Sequence, residues 1–141
     1  MTTGEAMLNA LRDVLRSAIT DADVKRNAAL PERVAGRLIN IRDGDAQPED
    51  QLGTEGPWYF THRVPVELLV QVGDDAAIDV AFDLLAAEVD AALSADLTLG
   101  GLVYGMAYDR PEIDTEAFPG AAGVKAAVLE LAVDYQSDTR L

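Results

Sequence analysis

One histidine, a crowd of carboxylates and an aromatic run beside an arginine are the residues of this chain that could do chemistry. His62 is the sole histidine. Its imidazole would be the first candidate for a general base near neutral pH. It lies, however, in the alternating stretch Trp58–Val72, on the same side as Phe60, Val64 and Val66, so it is expected on the core-facing side of a strand. No second histidine exists to build a triad or a typical zinc site. The absence of cysteine excludes disulfides, thiolate metal sites and cysteine nucleophiles. Ser17, Ser94 and Ser137 stand at helix or chain ends, outside any nucleophile-elbow context.

The carboxylates concentrate in residues 43–57, where Asp43, Asp45, Glu49, Asp50 and Glu55 occur without one basic residue. Four of them could gather around calcium or magnesium, but they lack the EF-hand order, and an acidic loop reads as solvated. Gly100-Gly101-x-x-x-Gly105 leads into a strand rather than a helix, which makes it a tight turn and not a dinucleotide fingerprint. Trp58-Tyr59-Phe60 could stack on bases, yet apart from Arg63 the flanks lack the cations that hold phosphates. The whole chain carries 25 acidic against 11 basic residues, a formal charge of −14. That field argues against nucleic-acid binding and against anionic membranes. No catalytic, cofactor-binding or metal-binding residue is predicted, and the chain reads as a non-enzyme.

The elements that must position these residues follow from periodicity. At 141 residues, 49% hydrophobic and 26% charged, the chain is expected to form one domain over 1–141 with a core of its own. It lacks a signal-peptide pattern and any apolar run near the ~20 residues that span a bilayer, as expected of a soluble protein in a reducing compartment. Thr2-x-x-Glu5 predicts a capping box ahead of a helix to about Ile19. Met7, Leu11, Val14 or Leu15, and Ala18 make its buried stripe, with Arg12 and Arg16 one turn apart on the other side. Residues 21–31 read as a connector and 34–43 as extended chain. Long acidic loops are expected at about 43–57 and 109–123. Gly73-Asp74-Asp75 predicts the start of a second helix. Ile78, Phe82, Leu85, Val89 and Leu93 form one face of it, and Asp79, Asp83 and Asp90 an acidic opposite face. A strand is expected over 102–108, with Leu102, Tyr104, Met106 and Tyr108 on one side. The last strand, over 124–136, buries Ala127, Leu129, Leu131, Val133 and Tyr135 and shows Glu130, Asp134 and Gln136.

The predicted fold class is therefore α/β of the α+β type: a mainly antiparallel four-stranded sheet with two helices packed on one face, in the order α-β-β-α-β-β. Leu69, Ala126, Val128 and Ala132 would lie on the uncovered face. Trp58–Val72 stands out within this plan. Fully extended it would reach roughly 50 Å at ~3.3 Å per residue, against about 35–40 Å for a compact domain of this length. It must bend, for instance at Pro65, or overhang the body and find a partner.

Residues 62–109, HRVPVELLVQVGDDAAIDVAFDLLAAEVDAALSADLTLGGLVYGMAYD, resemble the tail terminator, or tail completion, proteins of long-tailed phages, a group with relatives among other minor tail proteins. The N-terminal helix and the final strand with AVLELAVDYQSDTR fit the same pattern. The resemblance implies a non-enzymatic α/β domain that forms a hexameric ring on the tail tube, stops its polymerisation and docks the head connector. The implied partners are copies of itself, the tail tube protein and a head-completion or connector protein. The implied location is the virion tail, and the bacterial host cytoplasm during assembly of a phage or prophage particle. Outward residues of the long strand and its loop, Tyr59, Arg63, Asp45 and Asp50, are the first candidates for an oligomer or partner interface, followed by Arg12 and Arg16. The alternative is a small-ligand-binding or enzymatic domain on a ferredoxin-like sheet. A third reading is an adaptor that takes one partner strand at the sheet edge.

Overall fold

The computed structural model describes residues 1–29, 36–51, 53, 56–72, 75–114 and 123–140. Along the chain run α1 (Thr3–Ala18), β1 (Asp23–Arg26), β2 (Arg37–Ile41), β3 (Asp45–Gln51), β4 (Trp58–Gln71), α2 (Asp75–Ser94), β5 (Gly105–Tyr108), β6 (Glu112–Asp114) and β7 (Val124–Ser137). The alternating stretch becomes β4, and it pairs antiparallel with β7 over its whole length, from Trp58 opposite Ser137 to Gln71 opposite Val124, without a register shift. Phe60, His62, Val64, Val66, Leu68 and Val70 are buried on one face, beside Tyr135, Val133, Leu131, Leu129 and Ala127 across the ladder.

Against that face lie Met7, Leu8, Leu11 and Leu15 of α1 and Phe82, Leu85, Val89 and Leu93 of α2, all in one core cluster. Each fully buried aliphatic of this kind contributes about 1.5–3 kcal/mol relative to exposure. Helix α1 starts where the Thr2 hydroxyl accepts from the Glu5 N–H at 3.1 Å, which satisfies one of the orphan donors of the first turn.

The sheet differs from the expected one. It is mixed and has seven strands, not four mainly antiparallel ones in the order α-β-β-α-β-β. Its path is β1-β2-β4-β7-β5, with β3 added to β4 and β6 added to β7. The extra strands come from segments that composition marks as connectors. β1 lies in the connector over 21–31 and runs parallel to β2, with Val24 its one buried residue. β3, sequence DAQPEDQ, lies in the acidic loop over 43–57, and β6 in the loop over 109–123. β3 has the residues of a turn, contains Pro48 and is bulged between Pro48 and Asp50. It is extended because it lines the outer half of β4, Trp58 to Arg63, whose backbone groups need partners. An edge position tolerates the proline and the bulge. Local propensity carries no trace of that demand. β5 is also shorter than expected: Met106 is buried, but Leu102 and Tyr104 are exposed. The start proposed for α2 at Gly73 and Asp74, the extended chain at 34–35 and the loop at 115–122 lie outside the described residues.

The long strand neither leaves its register at Pro65 nor overhangs alone. β2 pairs with Val66–Val70 and β3 with Trp58–Arg63, so Pro65 falls in the gap between the two flanking strands. The Pro65 carbonyl accepts from the Arg42 N–H at 2.9 Å. Carbonyl and ring nitrogen of one strand residue point to the same side, so the missing N–H faces that gap rather than β7. Gly44 turns the chain there at φ +66, where a Cβ would run into the Arg63 carbonyl oxygen and lie 2.9 Å from Pro65 Cδ. Gly100, at φ +72, has open space instead. Gly44→Ala should therefore cost about 2 kcal/mol or more in urea unfolding, and Gly100→Ala only about 1 kcal/mol, the left-handed backbone cost that both share. Equal costs would contradict the packing described at Gly44.

Candidate functional site

The face of the sheet away from the helices is shaped by the odd residues of β4. Its inner part is closed by a small cluster of Leu38, Leu69 and Ala126, which the register places side by side. Next to it Asn40 is fully buried: it accepts from the Ala28 N–H at 3.0 Å and donates to the Ala28 carbonyl at 2.9 Å and to Glu67 at 2.8 Å. Arg42 holds the same Glu67 oxygen at 2.6 Å.

The outer part of that face is open. Asp45 stands opposite Arg63, both exposed, and Arg63 reaches Glu130 at 3.1 Å. Thr61 donates to Asp134 at 2.7 Å. Tyr59 packs on Tyr104, rings 5.7 Å apart and tilted by 38°, and the Tyr104 hydroxyl donates to Gln136 at 2.5 Å. Hydrogen bonding with Tyr59, and then desolvation, raise the Tyr104 hydroxyl above its ordinary value. Tyr104 is 57% exposed, a large aromatic surface left to water.

Of the residues singled out in the sequence, the structure brings Asp45, Tyr59 and Arg63 together on this open face. The backbone of Asp50 pairs with Tyr59, while its side chain lies outside the described set. Arg12 and Arg16 are elsewhere, on α1 across the sheet. Arg16 donates to the Val24 carbonyl at 3.0 and 2.8 Å and so covers β1, the strand at one end of the sheet path; Arg12 lies 3.3 Å from Asp13. Tyr104 is the member the sequence did not reveal. The alternation puts it on one side with Met106, which is buried, but the chain turns before Gly105 and leaves Tyr104 exposed.

His62 is a structural residue. It is 6% exposed, with Nδ1 2.9 Å from the Tyr135 hydroxyl and Nε2 2.5 Å from the Asp43 carbonyl. A carbonyl only accepts, so Nε2 carries the proton and Nδ1 accepts from Tyr135. Both ring nitrogens are engaged. Burial pushes the Tyr135 hydroxyl above its ordinary value. Among the described residues there is no group of three His, Asp or Glu side chains that could hold a metal ion, and no helix long and apolar enough to cross a membrane.

Above His62 an ion-pair node ties three elements together. Arg26 of β1 grips Glu5 of α1 through two 2.7 Å bonds and Asp43, after β2, through one of 2.8 Å. The hydrogen bond from Arg26 is the main cause holding both carboxyls below their ordinary range, and the same bonds raise Arg26.

No protein-family model matches the chain, and no curated protein matches it. Among solved structures it is similar to a chain in the virion of a native gene transfer agent (GTA) particle, with a TM-score of 0.42 and 13% identity, covering 94% of this chain and 91% of that one.

The node makes stability depend on acid. Glu5 and Asp43 have depressed folded-state values, so their contribution is complete above the ordinary values of 4.5 and 3.8 and is lost as pH falls through the depressed ones. Thermal unfolding from pH 6 downward should show the melting temperature falling below about pH 4.5, and Arg26→Gln should start lower and fall less steeply. Parallel curves for the two proteins would show that the node does not govern this dependence.

Proposed function

We propose that this chain is a structural assembly protein of a phage or prophage tail, acting as a homo-oligomeric ring that caps the tail tube, ends its polymerisation and docks the head connector. The observation that carries the reading is the open outer face of β4, β7 and β3, where Tyr59, Tyr104, Arg63 and Asp45 are presented on a rigid double ladder. Aromatic residues and arginine are the side chains most enriched where protein surfaces meet. A sheet paired along its whole length holds these side chains at fixed spacing, which suits repeated subunit contacts. The resemblance of residues 62–109 to tail terminator proteins points the same way.

Charge fits the role too. A ring that passes DNA works with a negative lumen, because attraction to phosphates would slow transit. The chain's charge of −14 supplies such a field. The partners under this reading are further copies in a hexamer, the tail tube protein and a head-completion or connector protein.

Light scattering coupled to size exclusion, over a concentration series and with tail tubes added, tests the proposal. Self-association or binding at the tube end is expected, weakened about tenfold or more by Tyr59→Ala or Arg63→Glu. A chain that stays monomeric and also ignores tube ends would sink the idea.

A further inference from the structure

Helix α2 carries a second surface, across the sheet from Tyr59 and Arg63. Over its 20 residues it has five acidic side chains and no lysine or arginine. Phe82, Leu85, Val89 and Leu93 face the core. At about 100° per residue, Val80, Leu84, Ala87 and Ala91 fall in one stripe turned away from that core. Val80 is 73% and Leu84 56% exposed, and both alanines are exposed.

The carboxylates at the margins leave this stripe clear. Glu88 borders it on the α1 side, Asp83 and Asp90 on the other. Towards α1 the stripe opens into a groove of about 700 Å³ floored by Val14, Ala18, Ala92 and Ala95, with Asp13, Glu88 and Asp96 at its lip. Small side chains along the floor allow another backbone to approach within the ~8–10 Å of packed helices.

We infer that this surface docks an amphipathic helix of another protein, one with a leucine-type stripe flanked by lysines or arginines. The stripe from Val80 to Ala91 runs about 16 Å along α2, a little over three turns, the span that a helix reads through residues at i, i+4, i+7 and i+11. The flanking charge selects the partner. Five carboxylates border stripe and groove; Arg37 pairs with Glu88 and Arg12 with Asp13, so two cations offset part of the charge and the border stays net acidic. A second copy meeting this face with its own would set acid against acid, so a basic helix is the complementary occupant. The surface is separate from the open sheet face, so this inference does not rest on the ring reading.

The test is a titration of isotope-labelled chain followed by amide shifts. The probe is a synthetic helical peptide of about 18 residues with leucines at that spacing and flanking lysines. One control peptide has the same composition scrambled; another has glutamates for the lysines. The lysine peptide should bind at least about tenfold tighter than either control, with shifts confined to α2 and the second half of α1. Leu84→Lys and Ala91→Arg, both at exposed positions, should each weaken it about tenfold with circular dichroism unchanged. Equal affinity for the scrambled peptide would reduce the effect to bulk charge and overturn the inference. So would shifts on the open sheet face, a lack of binding, or self-association through α2.

Discussion

The ladder between β4 and β7 is the constraint on which the rest of the molecule depends. Side chains alternate with a period of two, so a slip of one residue would turn His62, Val64, Val66 and Leu68 out of the core and expose every group they pack on. The two strands are equal in length and paired end to end, which fixes which face is buried along the whole sheet. The helices answer to that face: their apolar stripes have one place to go. The flanking strands answer to the edges, because each half of β4 and β7 leaves a row of backbone groups to be paired.

Two polar features adapt this plan to a real chain. Pro65, awkward inside a central strand, is harmless because it falls where β2 ends and β3 has not begun. The Arg26 node, with His62 beneath it, fastens the first turn of α1 to the segment that joins β2 to β3. What the outer half of the sheet offers on the side away from the helices is a surface held by continuous pairing, and under the proposed reading such order would lower the ordering cost on binding.

The sequence is informative where one segment's own pattern decides its structure. The alternation from Trp58 onward, the closing strand with Leu129, Leu131 and Val133, and the stripes of Met7, Leu11, Phe82 and Leu85 can all be read locally. The strand count could not. β3 is extended only because β4 requires a neighbour, and DAQPEDQ by itself spells a turn; β1 and β6 are too short for periodicity to register. The parallel pairing of β1 with β2 depends on a connection that no local pattern encodes. At the candidate surface, Tyr59 and Arg63 follow from the alternation and Asp45 from the acidic segment. Tyr104 does not, because the turn that ends before Gly105 is set by Asp96 accepting from the Thr98 and Gly100 N–H groups, which reverses the expected facing.

Native-state hydrogen exchange resolved by residue tests the central claim most directly. If β4 and β7 form one cooperative ladder, amides of Phe60 and His62 in the outer half should open with nearly the same free energy as those of Val66 and Leu68 in the inner half. Outer amides exchanging orders of magnitude faster, through local fraying, would contradict it.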